Sequence, residues 1–147
     1  MPVTVSTRGC SAPTLARRVG RSARRLLGAL RRDADELSIV LVSDREMRRL
    51  NRTWRDRDRS TDVLAFAQAE GEGGVPDGLL GDVVISVDTA RRQATELGHP
   101  LGHEVDRLLI HGVLHLLGYD HEVSAAEARR MQRRERALAR TLADPPR

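Results

Sequence analysis

The feature that most constrains this chain is residues 102–117, a long and mostly apolar run interrupted by His111 and His115 and followed at once by Gly118. The spacing predicts one long helix that Gly118 stops. Residues four apart on a helix lie one turn above one another on the same face. The axial offset is only ~6 Å, so two imidazoles there can converge on one ion. Gly118 can adopt the left-handed conformation that ends a helix and turns the chain back, which gives His121 a route to the same ion. Three neutral imidazoles leave a fourth tetrahedral position for water, the arrangement of catalytic rather than structural zinc. Such an ion lowers the pKa of its bound water toward ~7. A single histidine in an apolar helix is more often a satisfied core residue. Here three of the five histidines fall within eleven residues, and burying three unpartnered imidazoles would be costly. The expectation is one zinc ion held by His111, His115 and His121 plus water. His99 and His103 lack this setting and read as surface residues.

The rest of the chain alternates strands with helices. Residues 2–6 suit a short first strand. From Thr14, the residues Leu15, Val19, Ala23, Leu26 and Leu30 recur at helical spacing. The opposite face of that helix carries Arg17, Arg18, Arg21, Arg24, Arg25, Arg31 and Arg32 without an acid. Residues 37–42 form a continuous apolar run that reads as a buried strand. Ser43 with Glu46 forms a capping box for a second helix with Met47, Leu50 and Trp54 along one side. Residues 61–67 return to strand character, and 70–78, rich in glycine, read as a flexible loop. Residues 79–87 supply another strand, with Asp88 as N-cap of a helix from Thr89. After the 102–117 helix, Ser124 and Glu127 form another capping box, opening a last helix that buries Ala128, Met131, Leu138 and Leu142. No repeat or linker divides the chain. The expected fold is therefore α+β, one domain over 1–147, with a single mixed sheet of about four strands packed with about five helices.

Composition narrows the partners. All 25 basic residues are arginine, for a formal net charge of +4. Codon bias explains the missing lysine more simply than selection for phosphate binding, but the basic excess itself favours an anionic partner. Trp54, Phe66 and Tyr119 are the only aromatic residues, so base stacking can supply little affinity and weak sequence preference is expected. Cys10 is the only cysteine, which excludes an intramolecular disulfide. With neither a signal-peptide core at the start nor an apolar run of ~20 residues, the expected location is cytoplasmic.

The histidine spacing matches the H-x-x-x-H-x-x-G-x-x-H pattern of metzincin-type proteases in every ligand position. Those proteases carry a glutamate general base directly after the first histidine; here that position is Gly112. The metal geometry survives and the peptide-cleaving chemistry lacks its proton acceptor. Residues 111–121 instead resemble the signature of the YbeY family, bacterial endoribonucleases that act as rRNA maturation factors. Asn51, Arg52, Thr53, Trp54 and Arg55, followed by the 60–66 run Ser-Thr-Asp-Val-Leu-Ala-Phe, are similar to a second family segment, and 80–86 to its Gly-Asp strand. The departures are Trp54 where tyrosine is usual, Ser60 where proline is common, and Ala65 in place of serine.

The resemblance implies a zincin-like fold, a three-histidine zinc site, and cleavage of single-stranded RNA in maturation of the small ribosomal subunit's rRNA. It also places the family's functional arginine on Arg55. A guanidinium there would stabilise the charge gathering on a phosphodiester; by its sequence alone Arg55 reads as a solvated helix-end arginine. Asp120 could orient a ligand imidazole or simply cap its turn, and Asp62 reads as a structural hydrogen-bonder. The arginine-rich stretches 17–32 and 45–59 could track an RNA backbone, whereas the acid-interleaved arginines of the last helix read as a solvated face. Two other functions fit less well: a metal-dependent amide hydrolase of zincin type, and a non-catalytic ribosome-assembly factor stabilised by zinc.

Overall fold

A computed structural model describes residues 2–55, 61–67, 78–120 and 122–143. Their elements run β1 (Val3–Arg8), α1 (Pro13–Ala29), β2 (Glu36–Val42), α2 (Asp44–Arg55), β3 (Val63–Ala67), β4 (Leu79–Ser86), α3 (Val87–Leu97), α4 (Leu101–Leu116) and α5 (Ala125–Ala143). The strands form one sheet in the order β1-β2-β4-β3. The first three are parallel, and β3 joins β4 antiparallel at the edge. The α+β architecture with one mixed sheet is as expected. The loop read at 70–78 lies almost wholly outside the described residues.

Alternation along the strands divides the sheet into two unequal faces. Leu37, Ile39 and Leu41 of β2, with Val83 and Ile85 of β4, point into one large core. The helical periodicity supplies its other half: Val19, Ala23 and Leu26 of α1, Leu109 and Val113 of α4, Met131 and Leu138 of α5. Each such aliphatic side chain removed from water stabilises the fold by about 1.5–3 kcal/mol. Among the described residues, the opposite face buries an apolar cluster of only Val42, Met47 and Val84, beneath α2. The 37–42 run is therefore not buried on both sides: Ser38 and Val40 stand half-exposed on this second face.

Both serine caps expected of α2 and α5 form. Ser43 Oγ accepts from Glu46 N at 3.2 Å, and Ser124 Oγ from Glu127 N at 3.1 Å. Pro13 opens α1, where its missing N–H costs nothing. The start of α3 differs. Its N-cap is Ser86, whose Oγ accepts from Thr89 N at 3.2 Å, because the helix begins at Val87, before Asp88. Asp88 caps a different helix, accepting from Asp44 N at 2.8 Å at the start of α2. Asp44 returns the contact by accepting from Ser86 Oγ and Thr89 Oγ1, each at 2.6 Å. This exchange ties α2 to α3 at the carboxyl ends of β2 and β4.

Nor is the arginine face of α1 wholly solvated. Arg18 pairs with Asp106 of α4 at 3.1 Å, Arg32 pairs with Asp35 at 3.0 Å, and Arg25 donates to the carbonyls of Thr141 and Leu142, closing the end of α5.

Candidate active site

Helix α4 is largely buried and is held against both the sheet and α5. His111 and His115 lie on successive turns of it; His111 is half-buried and His115 exposed. Nδ1 of His111 lies 3.3 Å from Glu135 Oε2 on α5. An ionised carboxylate can only accept, so this contact places a ring proton on Nδ1; the neutral tautomer with that proton has its lone pair on Nε2 and is suited to binding a metal. Gly118 has φ 98°, the left-handed conformation expected at the helix end. The amides of Gly118 and Tyr119 close the last turn onto the carbonyls of His115 and Leu114, each at 3.1 Å. His121, the third expected ligand, lies outside the described residues. Among the described residues no group of three metal-ligating side chains assembles.

Asp120 caps its turn, accepting from Glu122 N at 2.9 Å. The carboxylate that contacts one of the candidate histidines, His111, is Glu135, which sequence reasoning missed. It stands 24 residues from its histidine on another helix, and no local spacing marks it.

One and two turns before His111, α4 holds a charged cluster that the sequence reading also passed over. Glu104 is fully buried, and its carboxylate takes His99 Nε2 at 2.8 Å and Arg107 Nε at 3.0 Å. Burial pushes this carboxyl up, but the bonds from Arg107 and His99 outweigh it and hold Glu104 below the ordinary glutamate value. Arg107 is held above the ordinary arginine value chiefly by its hydrogen bond to Glu104; burial opposes this, and the charges of Asp62 and Glu135 add to it. Arg107 thus gathers three acids, one of which is the partner of His111. His99 is accordingly not a free surface residue as expected, while His103 is exposed. The clue was available: an acid and an arginine three residues apart, within the first two turns of an apolar helix. Asp62 is the structural hydrogen-bonder it was read to be, accepting from Gln93 Nε2 at 3.3 Å.

Gly112 marks the closest approach of α4 to the sheet. A Cβ there would lie 2.8 Å from Val83 Cγ1 and 3.4 Å from Val63 Cγ2. Both neighbours are β-branched and stiff, so this position faces the sheet and has no room for a glutamate. The proton acceptor of the protease motif is excluded by packing as well as by sequence.

Comparison with known proteins gives the family. The family model described as endoribonuclease YbeY matches residues 11–143. The chain belongs to the endoribonuclease YbeY family. A relative named endoribonuclease YbeY from Anaeromyxobacter sp. (strain Fw109-5) is 51% identical over 140 residues, covering 95% of this chain and 71% of that protein. One of the same name from Geobacter metallireducens is 45% identical over 140 residues, covering 94% and 93% respectively. The solution structure of TM1509 from Thermotoga maritima has the same fold, with TM-score 0.69 at 24% identity over 95% of this chain and 88% of that one.

Within this YbeY-family chain, Arg55 is the last residue of α2, and its side chain lies outside the described residues. Helix α2 packs on the second face of the sheet and α4 on the first. Between them stands the edge strand β3, whose Val63 lies against Gly112. No helix among the described residues is long and apolar enough to cross a membrane.

Proposed function

We propose that this YbeY-family chain cleaves single-stranded RNA in the cytoplasm, with the rRNA of the small ribosomal subunit as substrate, around one zinc ion held by His111, His115 and His121. The observation that supports it best is His111 and His115 on successive turns of α4, with Glu135 behind the first, in a chain that matches the family along nearly its whole length. The donor set fits zinc: imidazole nitrogens, one already held in the correct tautomer by a carboxylate. When bound, the ion would supply a Lewis acid and a water of lowered pKa.

The protein's own groups do the remaining work. Glu135 fixes the plane and tautomer of His111. Arg55 is the guanidinium assigned to charge developing on the phosphodiester, a role supported by its place in the family segment. The arginine excess draws the RNA backbone by its charge, so binding should weaken steeply with salt.

His115→Ala tests the proposal. Metal content and cleavage of single-stranded RNA should both fall to background, while salt-sensitive RNA binding persists. Undiminished cleavage by a metal-free preparation of this variant would sink the reading. Chelation separates catalysis from a purely structural ion: loss of activity with an intact circular dichroism spectrum supports the catalytic role, and collapse of the fold supports a zinc-stabilised assembly factor.

A further inference from the structure

The second face of the sheet holds a groove of about 440 Å³ that the histidine site does not use. Its polar and aromatic walls are Ser6, Arg8, Ser38, Asp82, Trp54 and Phe66, over an aliphatic floor from β2, β4 and α2. The register arranges three of them. Ser38 pairs with Asp82 across β2 and β4, and Asp82 pairs with Phe66 across β4 and β3. A hydroxyl, a carboxylate and an aromatic ring therefore stand in one row on one face, each about 5 Å from the next. Arg8 lies two strands over and four residues along from that row. By strand spacing and rise its Cα is about 16 Å from that of Asp82, a gap that an arginine side chain and a nucleoside monophosphate together can span.

The aromatic residues are distributed unevenly. The chain has three. Tyr119 is covered by the guanidinium of Arg130, 4.4 Å from its ring centroid. The other two both line this groove, and Trp54 is 66% exposed. One exposed aromatic is ordinary. Less ordinary is a concave slot in which it meets a second ring and two charged side chains, Asp82 and Arg8, the latter close enough for its charge to act on Glu46.

We propose that this groove is a subsite for a guanine nucleotide of the RNA. Two rings offer a flat apolar slot for a base, and stacking of this kind is how single-stranded nucleic acid is held. A carboxylate accepts two parallel hydrogen bonds from neighbouring N–H donors. Of the four RNA bases only guanine presents two such donors, N1–H and the N2 amino group, side by side on its Watson–Crick edge. Asp82 therefore reads the base, the ring of Phe66 beside it and that of Trp54 stack on it, and Arg8 takes the phosphate. Its biological meaning rests on RNA being the substrate, but binding needs neither metal nor cleavage.

Trp54 is the only tryptophan, so its fluorescence reports on this groove alone. The full chain is titrated with the 5′-monophosphates of guanosine, adenosine, cytidine and uridine, with correction for nucleotide absorbance. The expected result is saturable quenching by guanosine monophosphate, at least tenfold tighter than by the other three. In Asp82→Asn that preference should fall at least tenfold with the circular dichroism spectrum unchanged. In Arg8→Gln guanosine monophosphate should bind no better than guanosine. His115→Ala should bind it as the parent does, so failure of the cleavage reading leaves this result standing. Absence of saturable quenching by any nucleotide overturns the proposal. So does an equal response to all four, or loss of binding in His115→Ala, which would place the nucleotide at the histidines.

Discussion

The two faces of one sheet solve different problems. The first is sealed chiefly by α1, α4 and α5, and a buried cluster drawn from seven elements fills the space between. Among the described residues, the second has only α2 over it and three buried apolar residues. A packed interior tolerates little change in volume, which is what a helix presenting histidines in fixed register requires. The half-covered face leaves hydroxyls, charges and rings in reach of solvent, which suits recognition rather than support. The sheet is thus asymmetric: its sealed side holds the histidine-bearing helix still, and its other side is, among the described residues, only half-covered.

The sealed face should be the sensitive one, and its largest response should come from its one fully buried acid. Glu104→Gln leaves Arg107 and His99 without their charged partner. Such a loss costs about 3 kcal/mol, the lower end for a buried pair, because both partners keep some access to water. The pH dependence carries the sign of a depressed acid. Glu104 has a lower pKa folded than unfolded. Its contribution is therefore complete above the unfolded value of about 4.3 and is lost as acid takes the solution through the lower, folded value. Chemical denaturation at pH 7 and again well below pH 4 should show the gap between variant and parent closing in acid; a constant gap would mean that Glu104 acts by packing alone.

Gly112→Ala comes next. The added methyl meets Val83 Cγ1 at 2.8 Å in the sealed core. Overpacking should cost about 2 kcal/mol net of the ~1 kcal/mol that alanine gains in helix propensity. A stabilised variant would show that α4 is not seated on the sheet at this point.

These contrasts explain what could be read from the sequence. The helix ends, the sheet class and the histidine register all follow from periodicity and from Gly118, and such signals are local. Glu135 behind His111 could not be read, because the contact joins two helices and depends on how α5 lies across α4. Asp88 was misassigned as a cap of α3 because two suitable caps stand two residues apart, and only the point where β4 stops selects Ser86. Met47, Leu50 and Trp54 recur along one side of α2 by their spacing. Met47 is fully buried and Leu50 half-buried, yet Trp54 stays largely exposed. Helical spacing gives direction; whether anything lies there to cover the residue is a tertiary fact.

The third expected effect moves from fold to metal. Glu135 is itself partly exposed, and its contact with His111, at 3.3 Å, is long. Glu135→Ala should therefore weaken zinc binding by about tenfold, the lower end for such supporting carboxylates, and leave the fold nearly untouched. Competition with a chromophoric zinc chelator measures it, and unchanged affinity would detach Glu135 from the metal site.

The smallest effect should come from the largest side chain. Trp54→Leu on the open face removes a ring that is 66% exposed and keeps the aliphatic contact nearest the helix. Its cost should stay within about 0.5 kcal/mol, as for surface substitutions that touch no core, cap or buried pair. Thermal unfolding followed by circular dichroism at 222 nm, the helical band, compares variant and parent without relying on the lost fluorophore. If the variant loses as much stability as Gly112→Ala, the ring is packing the second face, and the division between a sealed side and an open one fails where it is drawn most sharply. If stability holds while nucleotide affinity falls, the open face is a surface kept for binding at almost no structural cost.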